Sequence, residues 1–276
     1  MLARTMVTLG LLTLGAQFSA APAVAQNITT KFARHDAASA QVIDHGEWGK
    51  LLAAFVRPGS DKVNRVDYRR FKAQGHGALR AYLARMQAVT VSALSRNEQF
   101  AFWANLYNAA TVNVVLDHYP VGSIREIKSG LFSKGPWGIK LVTVEGVELS
   151  LDDIEHKILR PVWRDPRVHY AVNCASIGCP NLPRSPFTAV KLNGMLDAAA
   201  RDYINHPRGF SVQGGAVQAS QIYSWYAEDF GGSAAGVLRH ARRYAQGDLA
   251  RGLGEARDIG KYDYDWRLND TITPVR

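Results

Sequence analysis

SRNEQFAFWANLYNAATVNVVLDHYP, residues 95–120, decides the fold. Ser95 with Glu98 three residues on is a capping-box signature, and the run from Asn97 to Pro120 is apolar on nearly every side. A helix of that kind belongs in the middle of a protein core. Its polar exceptions are Asn105, Asn108 and Asn113. Asn is a poor helix former and costly to bury unless its amide is satisfied. Asn105 and Asn108, three apart, share a face, so they either project into a common polar site or bond neighbouring backbone and pin the helix.

On the N-terminal side, Trp48, Leu51, Leu52, Phe55 and Val56 recur at helical spacing until Arg57-Pro58-Gly59-Ser60 stops them. A short extended stretch at Val66-Asp67-Tyr68 and a helix from Gly77 to Gln87 come next. Towards the C-terminus, the β-branched run before Glu145-Gly146 predicts a hairpin spanning Gly138 to Leu149. Ser150 and Asp153 cap a helix carrying Glu155 and His156 and ended by Pro161. RVHYAVN, residues 167–173, reads as a strand delivering Cys174 and Cys179 to a turn. A helix from Thr188 to Asn205, a small hairpin around Gly214-Gly215, helices at Ile222–Phe230 and Ala234–Tyr244, and a closing strand in YDYDWRLND complete the pattern. These elements predict an α+β fold, helices packed on a small, mostly antiparallel sheet.

The 276 residues are 47% hydrophobic, 10% aromatic and 21% charged, enough for a substantial core. No repeat or Pro/Gly/Ser linker divides them. Arg4, the apolar run Met6–Leu14 and Ala23-Val24-Ala25 read as a signal peptide over residues 1–25, cleaved after Ala25. Residues 26–39 are polar and aperiodic and read as a flexible leader, and residues 40–276 as one domain. The expected location is the periplasm, with no transmembrane segment, because no stretch approaches the roughly 18 apolar residues a span requires. The mature chain keeps 32 basic against 24 acidic side chains. The basic residues are scattered rather than interleaved with aromatics, which argues against nucleic acid as a partner.

The chemistry centres on the two cysteines. A nucleophilic Cys174 needs an imidazole, a cation or a helix N-terminus to lower its pKa. If residues 167–174 are extended throughout, His169 and Cys174 point to opposite faces, and His156 with Glu155 becomes the first alternative base. Export equally favours a Cys174–Cys179 disulfide. C-x4-C is not a usual zinc spacing, so no metal is expected. Without a Gly-rich phosphate loop or a G-x-S-x-G elbow, no cofactor is expected either. Glu98, Asp152, Asp153, Glu155 and Asp229 could supply a carboxylate pair, though no spacing selects one. Trp225, Tyr226 and Phe230, at helical spacing, read as core.

AFWANLYNAATVNVVL, YPVGSIREI, SLDDIEHKILR, DPRVHYAVNCASIGCPNL, YSWYAEDF and YDYDWRLN, in that order, closely resemble the family called domain of unknown function 547, from about Glu98 to Asn269. The resemblance singles out Asn105, Tyr107, Asn108, Glu155, His156, His169, Cys174, Cys179, Pro180, Trp225, Asp229 and Phe230. Its Cys/His/Asn vocabulary is similar to that of papain-like and transglutaminase-like thiol enzymes, although those place the nucleophile on the early helix. The resulting expectation is a thiol-dependent hydrolase or acyltransferase acting on an amide, peptide or thioester bond. Cys174 would attack, His169 or His156 would carry the proton with Glu155 as neighbour, and Asn105 or Asn108 would orient the imidazole or polarise the carbonyl. The rival is a non-catalytic periplasmic binding or scaffold domain stapled by Cys174–Cys179.

Overall fold

A computed structural model describes residues 28–128, 130 and 135–275. The signal-peptide reading of residues 1–25 lies outside the described residues. The long central helix, α5, runs Arg96–His118 and is buried around almost its whole circumference, from Phe100, Phe102 and Trp103 to Val115 and Leu116. The capping box is not formed. Ser95 makes no side-chain cap bond, and Glu98 Oε1 instead accepts the backbone N–H of Ile43 at 2.8 Å. Glu98 is buried, so its carboxylate goes to the nearest otherwise orphaned donor.

Before α5 come α1 (Ile28–Phe32), α2 (Gly46–Phe55), β1 (Val56–Pro58), β2 (Asn64–Val66), α3 (Tyr68–Gln74) and α4 (His76–Gln87). Residues 26–39 are therefore not all a loose leader. Phe32 is fully buried edge-on to Trp103, at 4.9 Å between ring centres.

The hairpin β3 (Val142–Val144) and β4 (Val147–Leu149) turns where the sequence predicts, with Glu145 and Gly146 both at positive φ as a tight two-residue turn requires. Ser150 and Asp153 do form a reciprocal cap: Asp153 N–H donates to Ser150 Oγ and Ser150 N–H to Asp153 Oδ2. The capped segment is a π-helical turn, Asp153–Leu159, which continues through Pro161 as α6 (Arg160–Trp163). Pro161 does not end the helix because the carbonyl most exposed by its missing N–H finds another donor. Lys157 O accepts the Thr29 hydroxyl at 2.6 Å.

The expected strand at residues 167–173 is a helical turn, α7 (Val168–Ala171). Asp165 accounts for this. Its side chain accepts Arg167 N–H and its carbonyl accepts Val168 N–H, closing a turn that nucleates the helix. Downstream lie α8 (Leu192–Ile204), β5 (Phe210–Gln213), β6 (Ala216–Ser220), α9 (Ile222–Trp225), α10 (Ala234–Arg242), α11 (Gly247–Glu255) and β7 (Lys261–Asp263).

The expected helix Ile222–Phe230 is split. Tyr226 leaves helical geometry between α9 and a 3-10 turn at Ala227–Phe230. The closing strand is short, pairing with β6 only at 261–263 and then touching the fold through single bridges at Leu268 and Asp270. The fold is α+β, as the pattern indicates. Among the described residues its strands form three small sheets rather than one, antiparallel except for the β6–β7 pair. A large apolar cluster surrounds α5, and a second, rich in Tyr and Phe, joins Tyr170, Tyr203, Tyr223 and Phe230 to α10.

Candidate functional site

A cavity of about 280 Å³ opens where these two clusters approach each other. Its wall takes Tyr107 from α5, Asp152, Glu155 and His156 from the capped π-helical turn, and His169 from α7. Trp225 comes from the end of α9, Tyr226 from the break that follows it, and Tyr264 and Trp266 from the C-terminal stretch. Cys174, Cys179 and Pro180 complete the wall. Trp225 and Tyr226 are thus pocket residues rather than core, whereas Phe230 is buried core. Trp225 is 44% exposed.

His169 is held on both ring nitrogens. Nε2 meets Asp229 Oδ2 at 2.6 Å, and Nδ1 faces Glu155 Oε1 at 3.6 Å. Tyr226 stacks on the imidazole at 4.1 Å. Burial works against a charged ring here, yet the bonds to Asp229 and Glu155 outweigh it and raise the His169 pKa. The same contacts overcome burial at Glu155 and Asp229 and lower both carboxyls. Arg160 adds a second cation on Asp229 through Nε at 2.5 Å, and Tyr107 donates its hydroxyl to Glu155 Oε2 at 3.1 Å. The result is an imidazole whose protonated form is favoured by two flanking carboxylates. Asp152, by contrast, is raised, mainly by burial and partly by the neighbouring Glu155 charge.

Cys174 and Cys179 are joined in a disulfide, with Cα atoms 6.1 Å apart. The thiol that the hydrolase expectation requires is absent in this state. Both sulfurs are solvated by protein donors. The Tyr264 hydroxyl lies 3.1 Å from each, and Cys174 N–H donates to Cys179 Sγ at 2.9 Å. The loop is tied by Asn173, whose amide donates to Pro180 O and accepts Ala175 N–H. Ala175 sits in the left-handed region at φ 58°, a conformation L-residues occupy only where the surroundings enforce it.

The cavity brings together Cys174, His169, His156 and Glu155, but not the asparagines. Asn105 donates to Phe187 O and accepts Phe187 N–H, and Asn108 does the same for Ala171 O and Asn173 N–H. Each amide is spent on backbone, so neither orients the imidazole; Glu155 and Asp229 do. Strand alternation no longer separates His169 from Cys174 because α7 is helical, but both ring nitrogens already face carboxylates. His156 stands at the rim, one third exposed, with Nδ1 3.2 Å from an Arg160 nitrogen. Among the described residues, no group of three or more His, Cys, Asp or Glu is placed to hold a metal ion, and no helix is long and apolar enough to cross a membrane.

Sequence reasoning missed Asp229 as the His169 partner and Tyr264 as the donor to sulfur. The only signals available were their places in the YSWYAEDF and YDYDWRLN segments.

Residues 91–204 match the model of the family described as protein of unknown function, DUF547. Over that span the chain is similar to the DUF547 family. The DUF547 match contains the cysteines, His156, His169, Glu155 and Tyr107, and stops short of Trp225 and Tyr264, which line the same pocket, and of Asp229, which bonds His169 behind it. No curated protein and no solved structure matches the chain. The likeness to papain-like and transglutaminase-like folds therefore stays an analogy drawn from sequence.

Proposed function

We propose that this chain is an exported, periplasmic ligand-binding domain whose pocket takes a small ring-bearing cation. The observation that carries the reading is the make-up of the cavity wall. Trp137, Trp225, Tyr226, Tyr264 and Trp266 present aromatic surface, while the two carboxylates Asp152 and Glu155 outnumber the single His169 imidazolium. Aromatic faces attract cations, and the effect grows as water is excluded. A cavity of this kind with a few convergent polar groups is the usual form of a small-molecule site. The Cys174–Cys179 disulfide forms part of the wall.

Titration with benzylammonium, followed by indole fluorescence, tests this. Saturable quenching that weakens at least tenfold in Trp225→Ala, and that a neutral analogue such as benzyl alcohol reproduces poorly, is the expected result. Equal response to both compounds, or no dependence on Trp225, removes the reading. Trp225 is exposed enough that its loss leaves folding intact.

A second reading, the thiol-dependent hydrolase or acyltransferase, is favoured by Cys174 and His169 lining one cavity. It requires reduction first. Hydrolysis of an activated ester that appears only after reduction and is lost in Cys174→Ser would turn the assignment to that enzyme.

A further inference from the structure

We infer that the Cys174–Cys179 bond is an exchange site for a small cationic thiol rather than an inert staple. The inference rests on the pocket being a ligand site, because the thiol enters through it. A buried structural disulfide is commonly enclosed by apolar side chains. This one lines the cavity, and its two sulfurs are in different situations. Cys174 is partly exposed, whereas Cys179 is 3% exposed.

Cys179 is also the sulfur best prepared to carry negative charge. It accepts a backbone N–H, that of Cys174 at 2.9 Å, a donor Cys174 Sγ does not have, while the Tyr264 hydroxyl lies 3.1 Å from both sulfurs and the Ser176 hydroxyl 3.3 Å from Cys174 and 3.6 Å from Cys179. Exchange rate depends on how well the leaving sulfur bears its charge and on which sulfur the attacker can reach. Both criteria select the same direction. A thiolate RS⁻ attacks Cys174 Sγ, an R–S–Sγ bond forms, the Cys174–Cys179 bond breaks, and its electron pair leaves on Cys179 Sγ as a thiolate. A second RS⁻ then attacks the R sulfur of the mixed disulfide, releasing RSSR and the Cys174 thiolate. Two thiols are oxidised and one protein disulfide is reduced.

Asn173 holds both sides of the loop while the bond is open. Its amide keeps Pro180 O on one side and Ala175 N–H on the other, so the sulfurs stay close enough to close again. The surplus of carboxylates at the pocket selects a thiol bearing an ammonium group over one bearing a carboxylate.

The test treats the oxidised mature protein with cysteamine, quenches with iodoacetamide, and maps the adducts by peptide mass spectrometry. The expected product carries cysteamine on Cys174 and a carbamidomethyl group on Cys179. It forms about tenfold more slowly in Tyr264→Phe, the loss expected for one hydrogen bond to a charged group, and more slowly with mercaptoacetate than with cysteamine. Adducts on Cys179, or adducts that form only after urea is added, overturn the inference. Benzylammonium quenching is scored in the same samples. Quenching without native-state adducts removes the exchange and keeps the binding reading, and adducts without quenching do the reverse.

Discussion

His169 and Asp229, sixty residues apart in sequence, meet at 2.6 Å, and the same imidazole faces Glu155 across its other nitrogen. The two carboxylates favour the protonated form of a ring that lines the pocket. The arrangement orients the ring, and it also makes folding depend on pH. His169 has its folded pKa raised above 6.5, so the stability it contributes is complete below pH 6.5 and is lost as pH rises through the folded value. Asp229 and Glu155 are lowered from 3.8 and 4.5, so their contribution is present above those values and is lost as pH falls through the folded ones. The cluster is therefore fully effective from about pH 4.5 to 6.5.

Urea denaturation at pH 6 and at pH 9 should show the wild type weaker at pH 9, with that component absent in His169→Gln. Asp229→Asn should cost about 1–2 kcal/mol at pH 6, reduced from the buried-pair value because Asp229 is 27% exposed and partly screened. The cost should shrink at pH 9. A penalty equal at both pH values would contradict an imidazolium at this position.

Acid acts through other histidines. His240 and His45 are each pushed down to about 4, chiefly by burial, and each meets a tyrosine hydroxyl: His240 that of Tyr170, His45 that of Tyr82. An imidazole buried neutral gains its proton more readily when unfolded. Stability must then fall as pH drops from 6.5 towards 4, by up to about 1.4 kcal/mol per pH unit for each ring. His240→Gln should halve that slope, as measured by urea midpoints between pH 6.5 and 4.5. An unchanged slope would assign the acid limb elsewhere.

The two central asparagines should behave as structural ties. Asn108→Ala strands Ala171 O and Asn173 N–H in the core, and Asn105→Ala strands both backbone groups of Phe187. Each should lower stability by about 2–4 kcal/mol. Benzylammonium affinity of the folded fraction should stay within twofold of wild type. A large loss of affinity at unchanged stability would return these residues to the pocket.

The sequence carried what local chemistry decides. The all-round apolar pattern located α5, the Glu-Gly pair located the β3–β4 turn, and Ser150 with Asp153 located the start of the next helix. It failed where one side chain could satisfy a distant group instead of a near one. Glu98 left its own helix for Ile43, and Asp165 bent a β-like run of residues into α7. The pocket obeyed the same rule. Cys174, His169, His156 and Glu155 were visible as residue types. That they share a wall depends on α7 being helical and on the break at Tyr226, neither of which periodicity reports. Asp229 was nameable as a carboxylate but not as the group on His169, because that contact spans sixty residues.

The N-terminal segment gives the sharpest contrast between a loose and a docked residue 26–39 stretch. A flexible leader has no side chain whose removal matters, since nothing in it is ordered against the fold. The structure instead seats Phe32 with no exposed surface between α5 and its neighbours, edge-on to Trp103. Lys31 reaches across to the carbonyl of Glu145 in the β3–β4 turn, and Thr29 supplies the hydroxyl that caps Lys157 O ahead of Pro161. Truncating a fully buried aromatic leaves a cavity as well as losing its transfer free energy, so Phe32→Ala should cost about 3–4 kcal/mol in urea denaturation. Val42→Ala, at a side chain 77% exposed, should change stability by less than about 0.5 kcal/mol. Because Thr29 and Phe32 hold the turn that carries Glu155, Phe32→Ala should also weaken benzylammonium binding, while Val42→Ala should not. Equal, small effects from both substitutions would mean that α1 does not dock in solution and that residues 26–39 are a flexible leader after all.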